Sequence, residues 1–242
     1  MAIAVYIKEQ PKIFKTAAYK KRDRFFFAFI SFIGLSAVIF TAWPLLVWQL
    51  VTLPKLTGGV DQLPIPTSEV LSVKSTIASN VQVVKDPDGF SYFVPTNYSL
   101  NGKGERPAEF YLTIAKLKIF KAKVKVDSLN FYNSLSHFPD SALPGEVGNS
   151  FITGHSVLPQ FYDPNNYLTI FTKLSDLEIG DDVLVEIEGR TLHFTVQYAK
   201  VVDPRDLSVL APISPNGRNL TLMTCVPPGT NSKRLVVITS LI

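Results

Sequence analysis

The chain has 242 residues with 24 Lys or Arg against 20 Asp or Glu, for a net charge of +4, and a single cysteine. Seven of the cations (Lys8, Lys12, Lys15, Lys20, Lys21, Arg22, Arg24) and only two acids (Glu9, Asp23) fall in residues 1–24, so the remainder is near neutral at −1. A nucleic-acid binder needs its basic surplus on a folded surface, and this distribution argues against nucleic acid as a partner.

From Phe25 to Leu53 no residue is charged, a run of 29. That exceeds the ~20 apolar residues that cross a bilayer core and the apolar part of a cleaved signal peptide. Residues 25–53 are therefore expected to be an uncleaved transmembrane anchor. The basic flank at 1–24 predicts a cytoplasmic amino terminus, which puts the rest of a single-pass membrane protein outside the cell. Trp43 and Trp48 suit the outer headgroup layer, and Pro44 between them marks a kink or the effective end of the span.

Residues 54–85 mix proline, glycine and hydroxyl residues without a period and read as an extracellular spacer. Residues 86–242 are one domain's worth of chain, opened by a polar loop at 97–106. Leu117-Lys118-Ile119 and Ala122-Lys123-Val124-Lys125-Val126 alternate with period two, and the phase slips at Phe120-Lys121 as at a bulge. Val183 to Ile187 and Leu192 to Tyr198 flank Glu188-Gly189-Arg190, a hairpin signal. Further strands are expected at Leu220 to Thr224 and Leu235 to Leu241. Asn165 to Leu177, with Leu168, Phe171, Leu174 and Leu177 spaced at three, is the candidate short helix. Many short strands with one small helix predict a mainly β, closed or nearly closed barrel.

Three histidines are available. His193 takes the polar phase of its strand and reads as a surface residue, and His137 lies in a turn-like Ser136-His137-Phe138-Pro139-Asp140. His155 ends the apolar run Ser150-Phe151-Ile152-Thr153-Gly154, a strand end of the kind where sites are built. All three precede Cys225, opposite to the order of a papain-like enzyme, and no metal-ligand spacing such as H-E-x-x-H or C-x-x-C occurs. No cofactor is expected. Cys225 closes an apolar run before a Pro-Pro-Gly turn, and Arg234 begins the next run, so adjacent strands would bring the two side chains together. An unpaired thiol outside the membrane suggests a nucleophile, with an inert core cysteine as the alternative.

Thr221-Leu222-Met223-Thr224-Cys225 with the loop to Arg234 resembles the T-L-x-T-C strand of sortases, membrane-anchored cysteine transpeptidases of bacterial surfaces. Thr153-Gly154-His155, Leu158-Pro159, Phe171-Thr172-Lys173-Leu174 and Gly180-Asp181 resemble the family's histidine region in the same order. The likeness runs from about Leu112 to the carboxyl terminus. It implies a closed eight-stranded sortase-type β-barrel. It also implies Cys225 as nucleophile, His155 as general acid and base, and Arg234 as the cation that stabilises thiolate and oxyanion. The implied reaction cleaves an L-P-x-T-G-like sorting signal between Thr and Gly through a thioester and passes the acyl group to an amine of a cell-wall precursor or a pilin. A tethered binding domain and a hydrolytic cysteine peptidase are the rival readings. The loop Pro227-x-Gly229-x-Asn231-x-x-Arg234 is similar to that of pilus-assembling sortases, yet no second apolar span follows, so housekeeping and sporulation-type roles stay open. Asp86-Pro87 with Phe90 resembles the pilin-sortase lid or marks an ordinary turn. Asp163, Asp176 and Glu178 read as scattered surface carboxylates and not as a calcium site.

Overall fold

A computed structural model describes residues 17–57, 81–85, 91–96 and 106–242. The chain divides into two units after Trp43. In the first, the helix α1 (Ala17–Val47) begins, and the 34 residues Asp23–Leu56 are the one helical stretch, among the described residues, long and apolar enough to cross a membrane. Pro44 does not end it, because helical backbone continues through a π-turn at Trp48–Thr52 into α2 (Leu53–Thr57). Pro54 has no N–H for the Leu50 carbonyl and its ring crowds that carbonyl, so the chain widens there to the five-residue spacing of the Leu53 N–H to Trp48 O bond.

The second unit carries the barrel. A separate ribbon pairs β1 (Val81–Lys85) with β2 (Ser91–Pro95), so β1 takes up the last residues read as spacer. The strands β3 (Glu109–Ile114), β4 (Ile119–Lys125), β5 (Leu135–His137), β6 (Gly148–Thr153), β7 (Asp182–Ile187), β8 (Arg190–Val202), β9 (Arg218–Val226) and β10 (Lys233–Leu241) close in the order β10-β8-β7-β3-β4-β5-β6-β9. This is the eight-stranded closed barrel expected from the sequence. Two of the pairings, β4 with β5 and β6 with β9, are parallel.

Local chemistry explains the strand joins. Lys121 has φ of 49°, and between the pairs Leu112–Ala122 and Ile114–Ile119 β4 spends one residue more than β3, which is the bulge read from the phase slip. Leu117 belongs to a 3-10 turn and not to the strand, because Lys118 turns into the left-handed region at φ 55°. Glu188 and Gly189 both have positive φ, as a two-residue hairpin whose turn matches strand twist requires.

Inside, residues such as Leu112, Ile114, Ile119, Val124, Leu135, Ile152, Phe194, Leu220, Leu222, Leu235 and Val237 are buried in one cluster. At about 1.5–3 kcal/mol for each large apolar side chain, that cluster holds the strand register that the site depends on. Trp48 and Leu56 join it, so Trp48 is 6% exposed and not a headgroup anchor, whereas Trp43 is 63% exposed.

The helix expected over 165–177 is largely absent. Turns occupy the segment and only Leu174–Asp176 forms a 3-10 turn. Side chains outcompete the backbone here: Asn165 N donates to Asp163 Oδ1, Leu168 N to Asn166 Oδ1, and Asp163 N to Thr169 Oγ1. The three-residue spacing still reports burial, since Phe171, Leu174 and Leu177 face the core while Leu168 does not.

Candidate active site

Register alone carries three distant residues to one end of the barrel. In the parallel pair β6/β9 Thr153 stands against Met223, so two residues further His155 comes level with Cys225. Bonds on both sides of the histidine hold that junction: Gly154 N donates to Met223 O at 3.1 Å, Thr224 Oγ1 to Gly154 O at 2.9 Å, and Ser156 Oγ to Cys225 O at 2.7 Å. In the antiparallel pair β9/β10 Cys225 is the direct partner of Arg234. Side chains opposite each other on neighbouring strands share a face with Cβ atoms ~4.5–5.5 Å apart.

Gly154 is required before the histidine by space and not by φ. A Cβ there would lie 2.6 Å from both Leu135 Cδ2 and Phe171 Cδ2. The loop between β9 and β10 closes against the segment after His155 in a similar way, because a Cβ on Gly229 would lie 2.9 Å from Leu158 Cγ, and its φ is 78°.

The electrostatics are those of a protected site. Cys225 is 4% exposed, and burial pushes its thiol up to about 11 while Arg234 pulls the other way. Arg234 is itself buried, which depresses its pKa against the support of Cys225 and Asp203. Its Nη1 donates to the carbonyls of Asn231 and Lys233, both at 2.9 Å, so the guanidinium plane is fixed. Arginine stays protonated under these conditions, so the thiol has a permanent cation beside it.

Two aromatic residues complete the surroundings. Phe131, in the loop between β4 and β5, packs in a buried pair with Cys225, and its ring lies edge-on to His155 at 4.6 Å between centroids. Tyr132 lies 5.2 Å from His155 and stacks on Phe131 at 5.9 Å and 12°. Thr224 was already part of the Thr-Leu-Met-Thr-Cys run, but neither aromatic nor Ser156 was legible as part of a site, since nothing in the sequence shows where the loop after β4 folds or that β6 pairs with β9.

The other histidines sit elsewhere. His137 is not in an exposed turn: it ends β5, fully buried, with Nε2 2.9 Å from both Ala142 O and Ser141 Oγ, and Nδ1 3.7 Å from Asp127, which Arg106 also holds. A turn-like sequence became a strand because pairing with β6 satisfies its backbone. His193 lies on β8 with Nε2 2.6 Å from Asp182 Oδ1 and its side chain 43% exposed, as its polar phase predicts. Among the described residues no three His, Cys, Asp or Glu side chains group as a metal site. The lid-like Asp86-Pro87-Phe90 and most of the polar loop 97–106 lie outside the described residues.

Residues 112–242 match the family model described as the sortase domain, which is more than half of the chain. The chain therefore belongs to the sortase family, a class of cysteine transpeptidases, and its closed eight-stranded barrel is the fold on which that match lies. Sortase A from Corynebacterium diphtheriae is similar at 26% identity and a TM-score of 0.50 over 80% of this chain and 91% of that one. A lid mutant of the same enzyme is 27% identical at a TM-score of 0.50 over 72% and 92%. Sortase C-3 from Streptococcus pneumoniae, 23% identical at a TM-score of 0.51 over 72% and 80%, shares the fold. No curated protein sequence matches the chain.

Proposed function

We propose that this sortase is held in the cell membrane by its apolar helix, with the amino terminus cytoplasmic, residues 54–85 as an extracellular link and the domain from 86 to 242 catalytic. Cys225 is its nucleophile, His155 its general acid and base, and Arg234 its thiolate and oxyanion partner. The observation that carries this reading is the pair of registers that sets His155 level with Cys225 and Cys225 opposite Arg234.

Cys225 gives its thiol proton to His155, and its sulfur attacks the carbonyl carbon of the Thr-Gly bond in an L-P-x-T-G-like signal at the carboxyl end of a surface protein. The tetrahedral oxyanion takes hydrogen bonds from Arg234, the C–N bond breaks, and the glycine amine leaves with a proton from His155. An amine of a peptidoglycan precursor or of a pilin lysine then attacks the thioester and gives up a proton to His155. The C–S bond breaks and the proton passes from His155 back to the sulfur, which restores the resting thiol. Tethering enzyme and substrates to one membrane raises their effective concentration.

Incubation of the purified protein with a sorting-signal peptide and an oligoglycine acceptor tests this. A thioester adduct on Cys225 and a ligated peptide are expected, both lost in Cys225→Ala and strongly reduced in His155→Ala. Ligation by Cys225→Ala would end the nucleophile assignment, and cleavage that never yields ligated product would make the protein a hydrolase. Burial of the sulfur is the observation that favours a non-catalytic tethered domain, and such a domain would form no thioester at all.

A further inference from the structure

Acylation needs the donor carbonyl about 3–3.5 Å from the sulfur. That approach is taken already: Phe131 and Cys225 bury each other, each 4% exposed, and the same phenyl ring packs edge-on against His155. A donor peptide and Phe131 cannot occupy the thiol together. We propose that Phe131, backed by Tyr132, is an aromatic cover seated on Cys225 and His155, which the acyl donor displaces before the sulfur reacts. The proposal rests on the catalytic reading of Cys225 and adds the control of access to it.

The loop is built to part at its base. Its root is tied to the barrel: Arg106 Nη1 donates to Asp127 Oδ1 at 3.1 Å, Ser128 N to His137 O at 3.1 Å, and Ser136 Oγ to Ser128 O. Its tip is organised by bonds that travel with it, from Asn130 N to Ser128 Oγ and from Tyr132 N to Asn130 Oδ1, both at 3.1 Å. The tip meets the site through two stacked rings. Ring contacts are non-directional, whereas breaking the bonds at the root would leave buried polar groups unpaired. Tyr132, 46% exposed, is the solvent-facing member of the stacked pair.

Thiol alkylation in the full chain, held in detergent micelles, reads the cover without requiring turnover. Rates at one pH are measured with iodoacetamide and with a bulky maleimide on the wild type, Phe131→Ala and Phe131→Leu, with melting followed alongside. Removing the seated ring is expected to raise the rate about tenfold to a hundredfold, the range set by burying one large apolar side chain. The increase is expected to be larger for the maleimide, and Phe131→Leu to fall between. An unchanged rate in Phe131→Ala overturns the cover, and so does an equal increase with both reagents, which would mean that the sulfur was only made more acidic. Should Phe131→Ala fail to fold, Phe131→Leu decides by the same two criteria. Failure here with a thioester still formed on Cys225 leaves the proposed function intact, and activity in Cys225→Ala removes that function whatever the alkylation rates.

Discussion

Cys225 and Arg234 are cross-strand partners on β9 and β10, with the guanidinium clamped by the carbonyls of Asn231 and Lys233. That clamp fixes the plane of a planar fork, and an ammonium has no plane to fix. Arg234→Lys is expected to keep the barrel but to lower kcat by about 10²–10³, the usual effect of removing one oxyanion donor. Lys233→Ala, whose side chain is exposed and near Asp203 at 3.4 Å, is expected to leave kcat within about twofold, as surface ion pairs contribute little. Steady-state ligation assays compare the two, and equal losses would mean that the wrong cation has been assigned.

Burial sets how the thiol titrates. With its pKa raised to about 11, Cys225 is neutral in the resting protein at physiological pH, and its thiolate fraction grows tenfold per pH unit until that value is approached. Iodoacetamide rates are therefore expected to climb steadily from pH 7 to pH 10 without levelling. A plateau between pH 6 and 8 would show that Arg234 outweighs desolvation and that the resting thiol is already activated.

Gly154→Ala places a methyl group 2.6 Å from Leu135 and Phe171 side chains in the core. Overpacking of this kind destabilises by about 1–3 kcal/mol, and melting should fall by several degrees. Because the shift would also move His155, ligation should fall by more than the loss of folded protein explains. A variant with wild-type melting would mean that the neighbouring rings yield freely.

Thr224→Val removes the hydroxyl that donates to Gly154 O while keeping the shape of the side chain. A buried carbonyl left without its donor destabilises by about 1–3 kcal/mol. Ser156→Ala, at the partly exposed bond to Cys225 O, should have the smaller effect. Denaturant midpoints rank the two, and the reverse order would place the structural weight of this junction on Ser156.

Much of this was legible beforehand. The uncharged run read out the long apolar helix, period-two alternation read out most strands, and even the bulge at Lys121 showed as a slip of phase. Asn165 to Leu177 misled because a spacing of three reports which residues face inward, and turns closed by Asp163, Asn166 and Thr169 side chains satisfy it as well as a helix does. His137 misled in the opposite sense: its polar, proline-flanked neighbourhood looks like surface until β6 pairs with it.

Sequence by itself determined the class of the chain, since hydropathy, strand periodicity and the Thr-Leu-Met-Thr-Cys run act over a few residues and need no partner. Only the tertiary structure decided what surrounds the sulfur. The parallel pairing of β6 with β9, between residues about 70 apart, levels His155 with Cys225, and the loop after β4 lays Phe131 over both. Such contacts arise from barrel closure, a long-range condition in which register, and not local preference, chooses each side chain's neighbours.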